Sequence, residues 1–173
     1  LNLEVSLAPE MVKLALSLKP DSVCLVPENR REVTTEGGLD LISNMTRAHE
    51  AVQAFTEVGI PTSMFIDPDR KQLEASAEIG SPWVELHTGS FARAWYDESE
   101  RELELNTLID GMNFGISLGL RINAGHGINY DNVVGAKKMD KVYEFNIGHS
   151  IISRSLTHGL EDAVREMRRR LNS

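Results

Sequence analysis

Cysteine is nearly absent from this sequence of 173 residues. Its one cysteine, Cys24, lies in an apolar run with no second cysteine to pair with, which excludes an internal disulfide framework and favours a reducing compartment. The sequence also lacks any run close to the roughly 18 consecutive apolar residues that a membrane-spanning helix needs. No charged segment followed by an apolar one marks a secretion signal. We therefore expect a cytoplasmic protein that does not bind membranes.

Positive charge is scarce as well. Lysine and arginine together number 18 against 26 aspartates and glutamates, which gives a net charge of −8. The one local cluster, Arg165 with Arg168, Arg169 and Arg170, closes a predicted helix, where cations favour the negative end of the helix dipole. Because binding to a phosphate backbone needs a broad basic surface, we expect no nucleic acid partner.

Several patterns that carry cofactors or nucleophiles are missing. No spacing of histidine, cysteine and carboxylates suggests a metal site. No glycine-rich phosphate loop or dinucleotide motif is found, and no Ser-His-Asp order stands out. The sequence therefore predicts no metal ligands.

The sequence does contain a regular alternation of short strands and amphipathic helices, which is typical of parallel β/α architecture. Its length suits one hydrophobic core, so we expect a single domain over residues 1–173. Strands are predicted at residues 2–7, 22–26, 62–66, 83–87, 120–124 and 141–147. The predicted helices include a long one over residues 97–118 and a last one over residues 160–171.

Polar and apolar residues alternate within these strands, whereas strands of an open parallel sheet are usually apolar on both faces. The polar positions include Glu4, Glu85, His87, Arg121, Asn123, Glu144 and Asn146. Helices can cover only the apolar side, so the polar side is expected to meet inside a closed barrel. We predict an α/β fold, a TIM (β/α)8 barrel with six of its eight units present in this chain. The strand over residues 2–7 would then be an unpaired edge.

His126 lies between Gly125 and Gly127 at the carboxyl end of a predicted strand, where barrel enzymes carry catalytic groups. The glycines permit a sharp turn and close approach of a substrate, and an imidazole exchanges protons near neutral pH. A histidine that merely satisfies a backbone carbonyl in a turn is the alternative.

Gly148 and His149 stand where the last predicted strand meets a helix start. Amides at a helix N-terminus bind anions, and the loops after the last strands of a barrel often hold phosphate. A glycine required only for tight packing between strand and helix is the alternative.

Glu4 is expected on the inward face of its strand, where a buried carboxylate must be paired or functional. It is therefore a candidate general base. An internal ion pair with Arg121 is the alternative, and Glu85 and Glu144 are equally eligible for such a network.

The polar loop over residues 26–38 is long for a connection between a strand and a helix. Long ordered loops at the top of a barrel are often binding loops or lids, and Thr34 and Thr35 could hold a phosphate or a hydroxyl group. A solvated, charged loop without such a role is the alternative.

Five separated segments resemble, in order, the signature segments of the pyridoxine 5'-phosphate synthase family. They are Asn2-Leu3-Glu4, the stretch from Leu25 to Asp40, Glu85-Leu86-His87-Thr88-Gly89, Asn123-Ala124-Gly125-His126-Gly127 and Asn146-Ile147-Gly148-His149. The resemblance extends from Asn2 to the C-terminal helix and so covers nearly the whole chain.

This resemblance implies an enzyme of vitamin B6 biosynthesis that condenses 1-deoxy-D-xylulose 5-phosphate with 3-amino-2-oxopropyl phosphate. By position, Glu4 matches a catalytic acid/base and His126 the proton donor. Thr34 and Gly127 match contacts to the deoxyxylulose phosphate, and Gly148 and His149 match the site of the amino-ketone phosphate. No metal or organic cofactor is implied, and the family assembly is a homo-octamer.

The departure from the family lies at the front of the sequence. The first two strand–helix units of the family supply further catalytic and phosphate-binding residues, which are not found here, so we expect this polypeptide alone to be inactive. Two other functions stay open at this point: a different phosphate-binding barrel enzyme, such as an aldolase or isomerase, and a non-catalytic fragment. A Schiff-base aldolase would need an inward lysine at a strand end, and Lys141 lies at the start of its strand.

Overall fold

The computed structural model describes residues 1–28 and 37–172. Six parallel strands form one sheet in the order β1-β2-β3-β4-β5-β6, so that each strand pairs with its neighbours in sequence. The strands are β1 (Asn2–Val5), β2 (Ser22–Leu25), β3 (Thr62–Ile66), β4 (Trp83–His87), β5 (Arg121–Gly125) and β6 (Glu144–Asn146). In the described residues β1 and β6 are the two outer strands of the sheet.

Helices follow the strands along the chain, as is usual for connections between parallel strands. They are α1 (Pro9–Leu18), α2 (Leu41–Glu57), α3 (Arg70–Glu78), α4 (Gly89–Arg93), α5 (Glu98–Ser117), α6 (Val133–Ala136), α7 (His149–His158) and α8 (Leu160–Asn172). Side-chain caps fix several starts. Asp69 accepts hydrogen bonds from the first amides of α3, and Asp97 does the same for α5.

The hydrophobic core lies between the sheet and the helices. On the strands it contains Val23, Leu25, Met64, Ile66, Val84, Leu86, Ile122 and Ala124. On the helices Phe55, Leu73, Leu108 and Met112 pack against them. The alternate residues of the strands are largely polar and point to the other face of the sheet, where Ser63, Glu85 and Asn123 are buried. Side chains of both outer strands line one shared cavity, which shows that the sheet curls into a partial barrel. The predicted barrel class is confirmed.

The outer strands are shorter than predicted, and their neighbours explain why. The strand expected over residues 2–7 ends at Val5, because the Ser6 hydroxyl accepts a hydrogen bond from the Ala8 amide and turns the chain into α1. The strand expected over residues 141–147 begins at Glu144, because the Val142 amide is bonded to the Met139 carbonyl in a turn. The short helix α4 was not predicted. Within residues 1–28 and 37–172 no helix has both the length and the apolar character to cross a bilayer.

Candidate active site

A cavity of about 650 Å³ opens at the carboxyl ends of the strands. Side chains from β1, β3, β4 and β6 and from the loops after β2, β5 and β6 converge on it, as the inward polar parity predicted. Its lining consists of Asn2, Glu4, Val26, Pro27, Phe65, Glu85, His126, Gly127, Ile128, Asn146, Ile147, Gly148 and His149.

Of the six residues that match the family's site by position, five lie in this lining: Glu4, His126, Gly127, Gly148 and His149. The sixth, Thr34, lies outside the described residues. The predicted convergence of the carboxylate and the imidazole on one cavity is therefore confirmed, while their chemical roles stay predictions.

The expectation that Glu4 is buried was wrong. Its side chain is exposed, because it stands on the outer strand β1 at the open side of the cavity. The alternative ion pair with Arg121 is not formed either. The Arg121 guanidinium lies over the rings of Trp83 and Tyr143, 4.8 and 4.2 Å from their centroids, at the opposite end of the strands. The alternation of residues along β1 correctly predicted that Glu4 points toward the cavity. Its solvent exposure depends instead on where β1 lies in the sheet.

Glu85 is the carboxylic acid that the fold buries. It stands on the central strand β4 with only 4% of its surface exposed. Its Oε2 accepts a hydrogen bond of 2.6 Å from Asn146 Nδ2, and the Cys24 thiol lies 3.8 Å from the same oxygen. Desolvation raises the pKa of Glu85 to about 7, and the charges of Glu4 and Glu144 act in the same direction. Near neutral pH this group is therefore able either to donate or to accept a proton.

Gly125 makes room for this carboxyl group. A Cβ atom at position 125 would lie 2.2 Å from Glu85 Oε1 and 2.9 Å from the Asn146 carbonyl oxygen. Any side chain there would therefore force the Glu85 carboxyl group out of its place. The first glycine of the Gly-His-Gly motif is thus required by close approach.

The backbone on both sides of His126 is held by hydrogen bonds from other residues. Thr88 is fully buried, and its hydroxyl lies 2.7 Å from the Gly125 carbonyl oxygen and 2.5 Å from that of His126. Asn132 Nδ2 donates to the Gly127 carbonyl at 3.0 Å. These bonds hold His126 in a left-handed conformation with φ of 79°, which is rare for residues other than glycine. The alternative of a histidine that only satisfies a turn carbonyl is not favoured, because Thr88 and Asn132 already do so.

The His126 imidazole is exposed toward the cavity and packs on its other side against two rings. Its centroid lies 4.9 Å from that of His87 and 6.3 Å from that of Phe65. The pKa of His126 is lowered, first by desolvation and then by electrostatic interactions with His87, His149 and Arg93, whereas Glu4 opposes the shift. The surroundings of His126 in the unliganded protein therefore disfavour its imidazolium form.

Two further residues at this edge of the sheet were missed in the sequence. His87 ends β4, and its Nδ1 lies 3.1 Å from Oδ1 of Asp67, which directly follows β3. Both side chains are buried. Two features of the sequence could have indicated them. His87 alternates with Leu86 and so shares the inward face of β4 with Glu85, and Asp67 is a carboxylate directly after β3. Only the register that pairs Ile66 with Leu86 brings the two together.

Gly148 and His149 form the start of α7, next to the end of β6. A Cβ atom at Gly148 would meet nothing within 4 Å, so close packing of strand and helix does not require glycine there. The alternative explanation of this glycine is therefore not favoured. The first amides of a helix have no partner within it, and those of α7 begin in the cavity lining. The arrangement suits an anion.

No group of three or more histidine, cysteine and acidic side chains that could hold a metal ion occurs in the described part of the chain.

The whole chain, residues 1–173, matches the family described as "Pyridoxal phosphate biosynthesis protein PdxJ". The chain belongs to this family. Two proteins named pyridoxine 5'-phosphate synthase are close relatives. The one from Trichodesmium erythraeum (strain IMS101) is 51% identical over 172 residues, covering 99% of this chain and 71% of that protein. The one from Opitutus terrae is 49% identical over 172 residues, covering 99% of this chain and 69% of that protein.

A solved structure is also similar. The xylose isomerase domain protein from Planctomyces limnophilus superposes with a TM-score of 0.57 at 12% identity, over 98% of this chain and 70% of that chain. At this identity the likeness shows the fold alone, and it agrees with the partial barrel. Assignment to the PdxJ family rests on the sequence match. Five of the residues that resemble the family's site residues line the cavity at the carboxyl ends of the strands.

Gly125→Ala tests the close approach that shapes the site. Because the new Cβ would overlap the Glu85 carboxyl group, we expect a loss of about 1 to 3 kcal/mol in the free energy of unfolding, measured with urea. Gly148→Ala is the matched control, since its Cβ meets nothing, and its loss is expected to stay below about 1 kcal/mol, the cost of an alanine in place of the glycine N-cap. Equal losses in the two variants would contradict this account.

Glu85→Gln tests the buried carboxylic acid. The folded pKa of Glu85, about 7, lies above its ordinary value of 4.5, so its favourable contribution is complete below pH 4.5 and is lost as the pH rises through 7. Glutamine keeps the bond from Asn146 and does not ionise. Relative to the wild type, the variant should therefore gain up to about 3 kcal/mol in the free energy of unfolding between about pH 4.5 and pH 8. A difference that does not change with pH would show that Glu85 ionises normally.

Proposed function

We propose that the protein is a pyridoxine 5'-phosphate synthase of vitamin B6 biosynthesis. The reaction condenses 1-deoxy-D-xylulose 5-phosphate with 3-amino-2-oxopropyl phosphate, closes the pyridine ring and releases inorganic phosphate and water. Membership of the PdxJ family and the names of its relatives support this activity. The observation that carries it is one cavity in which Glu4, Glu85 and His126 face the N-terminus of α7.

The reaction needs repeated proton transfers, because Schiff-base formation, eliminations and tautomerisations each move protons. Glu4 is exposed in the cavity and is proposed as a general acid/base. Glu85, with its pKa raised to about 7, is proposed to exchange a proton in the same reaction. His126 is proposed as the proton donor.

The lowered pKa of His126 is compatible with a donor role once substrates are bound. In the free protein the surroundings of the ring disfavour the imidazolium form. Two phosphate esters would bring several negative charges into the cavity, and opposite charges favour the protonated imidazole. We propose that substrate binding loads His126 with the proton that it then donates.

Phosphate binding is proposed at two places. The N-terminus of α7 offers backbone amides and the positive end of a helix dipole beside Gly148 and His149, which suits the amino-ketone phosphate. Gly127, with φ of 77°, lines the cavity beside His126 and is proposed to contact the deoxyxylulose phosphate together with Thr34.

A Schiff-base aldolase is not supported. The only lysine weighed for that role, Lys141, donates from Nζ to Asn113 Oδ1 at 3.0 Å and precedes β6, at the end of the strand away from the cavity. The homo-octamer and the cytoplasmic location implied by the family resemblance and composition stay predictions. Light scattering of the purified protein would report the assembly.

Turnover with both substrates tests the proposal, using the protein with every residue that its gene encodes, because the 173-residue polypeptide alone is expected to be inactive. We expect formation of pyridoxine 5'-phosphate, and a fall in kcat of about 100-fold or more in Glu4→Gln and in His126→Asn. Asparagine is chosen because it tolerates the left-handed backbone of position 126. His158→Asn, at the exposed far end of α7, should leave kcat unchanged. No product from the wild type, or full activity in both site variants, would refute the proposal.

Gly148→Asp tests the anion site at α7. Its carboxylate would accept from the first amides of the helix as a normal N-cap, so the fold should persist while phosphate is repelled. Calorimetry with inorganic phosphate should show at least about a 10-fold weaker affinity. Gly148→Asn caps the helix without a charge and should bind between the wild type and Gly148→Asp. Equal affinity in all three proteins would exclude phosphate from this helix end.

A further inference from the structure

We propose that His87 is a positioning residue for His126: Asp67 anchors the buried His87 ring, and this ring holds the His126 imidazole over the cavity. The inference rests on the proposed function, since it concerns the group that would donate the proton. It does not depend on Thr88, which holds the backbone of the same segment.

His87 is fixed by its surroundings on several sides. Its side chain is 4% exposed, and Nδ1 lies 3.1 Å from Asp67 Oδ1. Asp67 is held in turn, because its Oδ1 accepts from the Gly38 amide at 3.3 Å. Phe65 contacts the His87 ring edge-on, with centroids 5.1 Å apart. A carboxylate acceptor at Nδ1 sets the ring orientation and places a proton on that nitrogen.

Two glycines leave the space that the His87 ring occupies. A Cβ atom at Gly89 would lie 2.5 Å from His87 Nε2 and 2.7 Å from its Cε1. A Cβ atom at Gly37 would lie 3.0 Å from Cε1. The ring therefore fills a slot that larger residues at positions 37 and 89 would close. With its Nδ1 anchored at Asp67, the ring has the fixed placement that a supporting group needs.

His126 needs such support, because one side of it faces an open cavity. The contacts of its imidazole with rings in the described residues are those with His87 at 4.9 Å and Phe65 at 6.3 Å between centroids. An exposed side chain without packing exchanges between rotamers, and proton transfer requires a donor within hydrogen-bond reach of its target. The anchored ring of His87 restricts the imidazole to the region above the cavity.

A purely structural Asp67–His87 pair is the competing explanation. Buried ion pairs contribute little net stability compared with well-packed apolar residues, so stability alone is a weak reason for one here. A structural pair would act on unfolding and equally on all substrate steps. A positioning pair would act on His126 in the folded protein.

The titratable and charged groups that face His126 come from four elements. They are His87 on β4, Arg93 on α4, His149 on α7 and Glu4 on β1. The first three disfavour protonation of His126, and Glu4 favours it. Removal of the His87 ring would therefore take away one of the interactions that disfavour the imidazolium form and raise the pKa of His126.

His87→Asn provides the test. The asparagine amide can still donate to Asp67, but the supporting ring is gone. We expect kcat to fall about 10- to 100-fold, with each KM within about 3-fold of the wild type, and the pH profile of kcat/KM to move to higher pH. NMR titration of the His126 ring signal, assigned by its loss in His126→Asn, should show the higher pKa directly. His49→Asn, an exposed histidine on α2, is the control and should change none of these.

Asp67→Asn keeps the His87 ring and weakens its anchor while its side-chain oxygen can still accept from the Gly38 amide, so we expect a smaller fall in kcat with the same unchanged KM. This variant decides the matter if His87→Asn does not fold in urea-unfolding tests. Unchanged kcat and an unchanged His126 titration in a folded variant would overturn the proposal, as would losses that follow stability and KM instead of kcat. If the wild type forms no pyridoxine 5'-phosphate, the proposed function fails, and the NMR titration still tests the contact between the two histidines.

Discussion

The buried carboxyl group of Glu85 connects its own strand with three others in the sheet. From β4 it reaches Cys24 on β2 and Asn146 on β6, and it rests on the bare backbone of Gly125 on β5. Both β2 and β6 lie two strands away from β4, and curling of the sheet brings their inward side chains within reach of the Glu85 carboxyl group. The curvature that creates the cavity and the desolvation that raises the pKa of Glu85 therefore have the same origin.

The Gly-His-Gly segment shows how three neighbouring residues meet three different demands. Gly125 leaves room for a carboxyl group, His126 presents an imidazole, and Gly127 adopts φ of 77° where a Cβ would lie 2.7 Å from that of Ala92. Thr88, directly after β4, contacts the same segment with one hydroxyl group. The motif at the end of β5 thus forms one side of a contact with the end of β4. Its partners there, Glu85 and Thr88, are as specific as the motif itself.

Much of this architecture could be predicted from the sequence, because strand parity is a local property. The six strands, their inward polar side and the meeting of Glu4 with His126 follow from it. Exposure does not: Glu4 and Glu85 share a parity, but one stands on an outer strand and the other at the centre. The pair of Asp67 and His87 depends on the register between β3 and β4, which no local pattern reveals. The short helix α4 has too few residues for a periodic signal.

The left-handed backbone of His126 also bears on how this position can change over generations. Most replacements would have to carry a Cβ in a conformation that costs about 1 kcal/mol or more, and only glycine, asparagine and aspartate adopt it readily. A substitution at position 126 is therefore subject to two separate constraints. Activity requires the imidazole, and folding requires a residue that adopts the left-handed backbone. Reversion from an inactive form is easiest through asparagine or aspartate, each a single nucleotide away from histidine in the genetic code. The geometry of one peptide unit thus narrows the evolutionary paths into and out of activity.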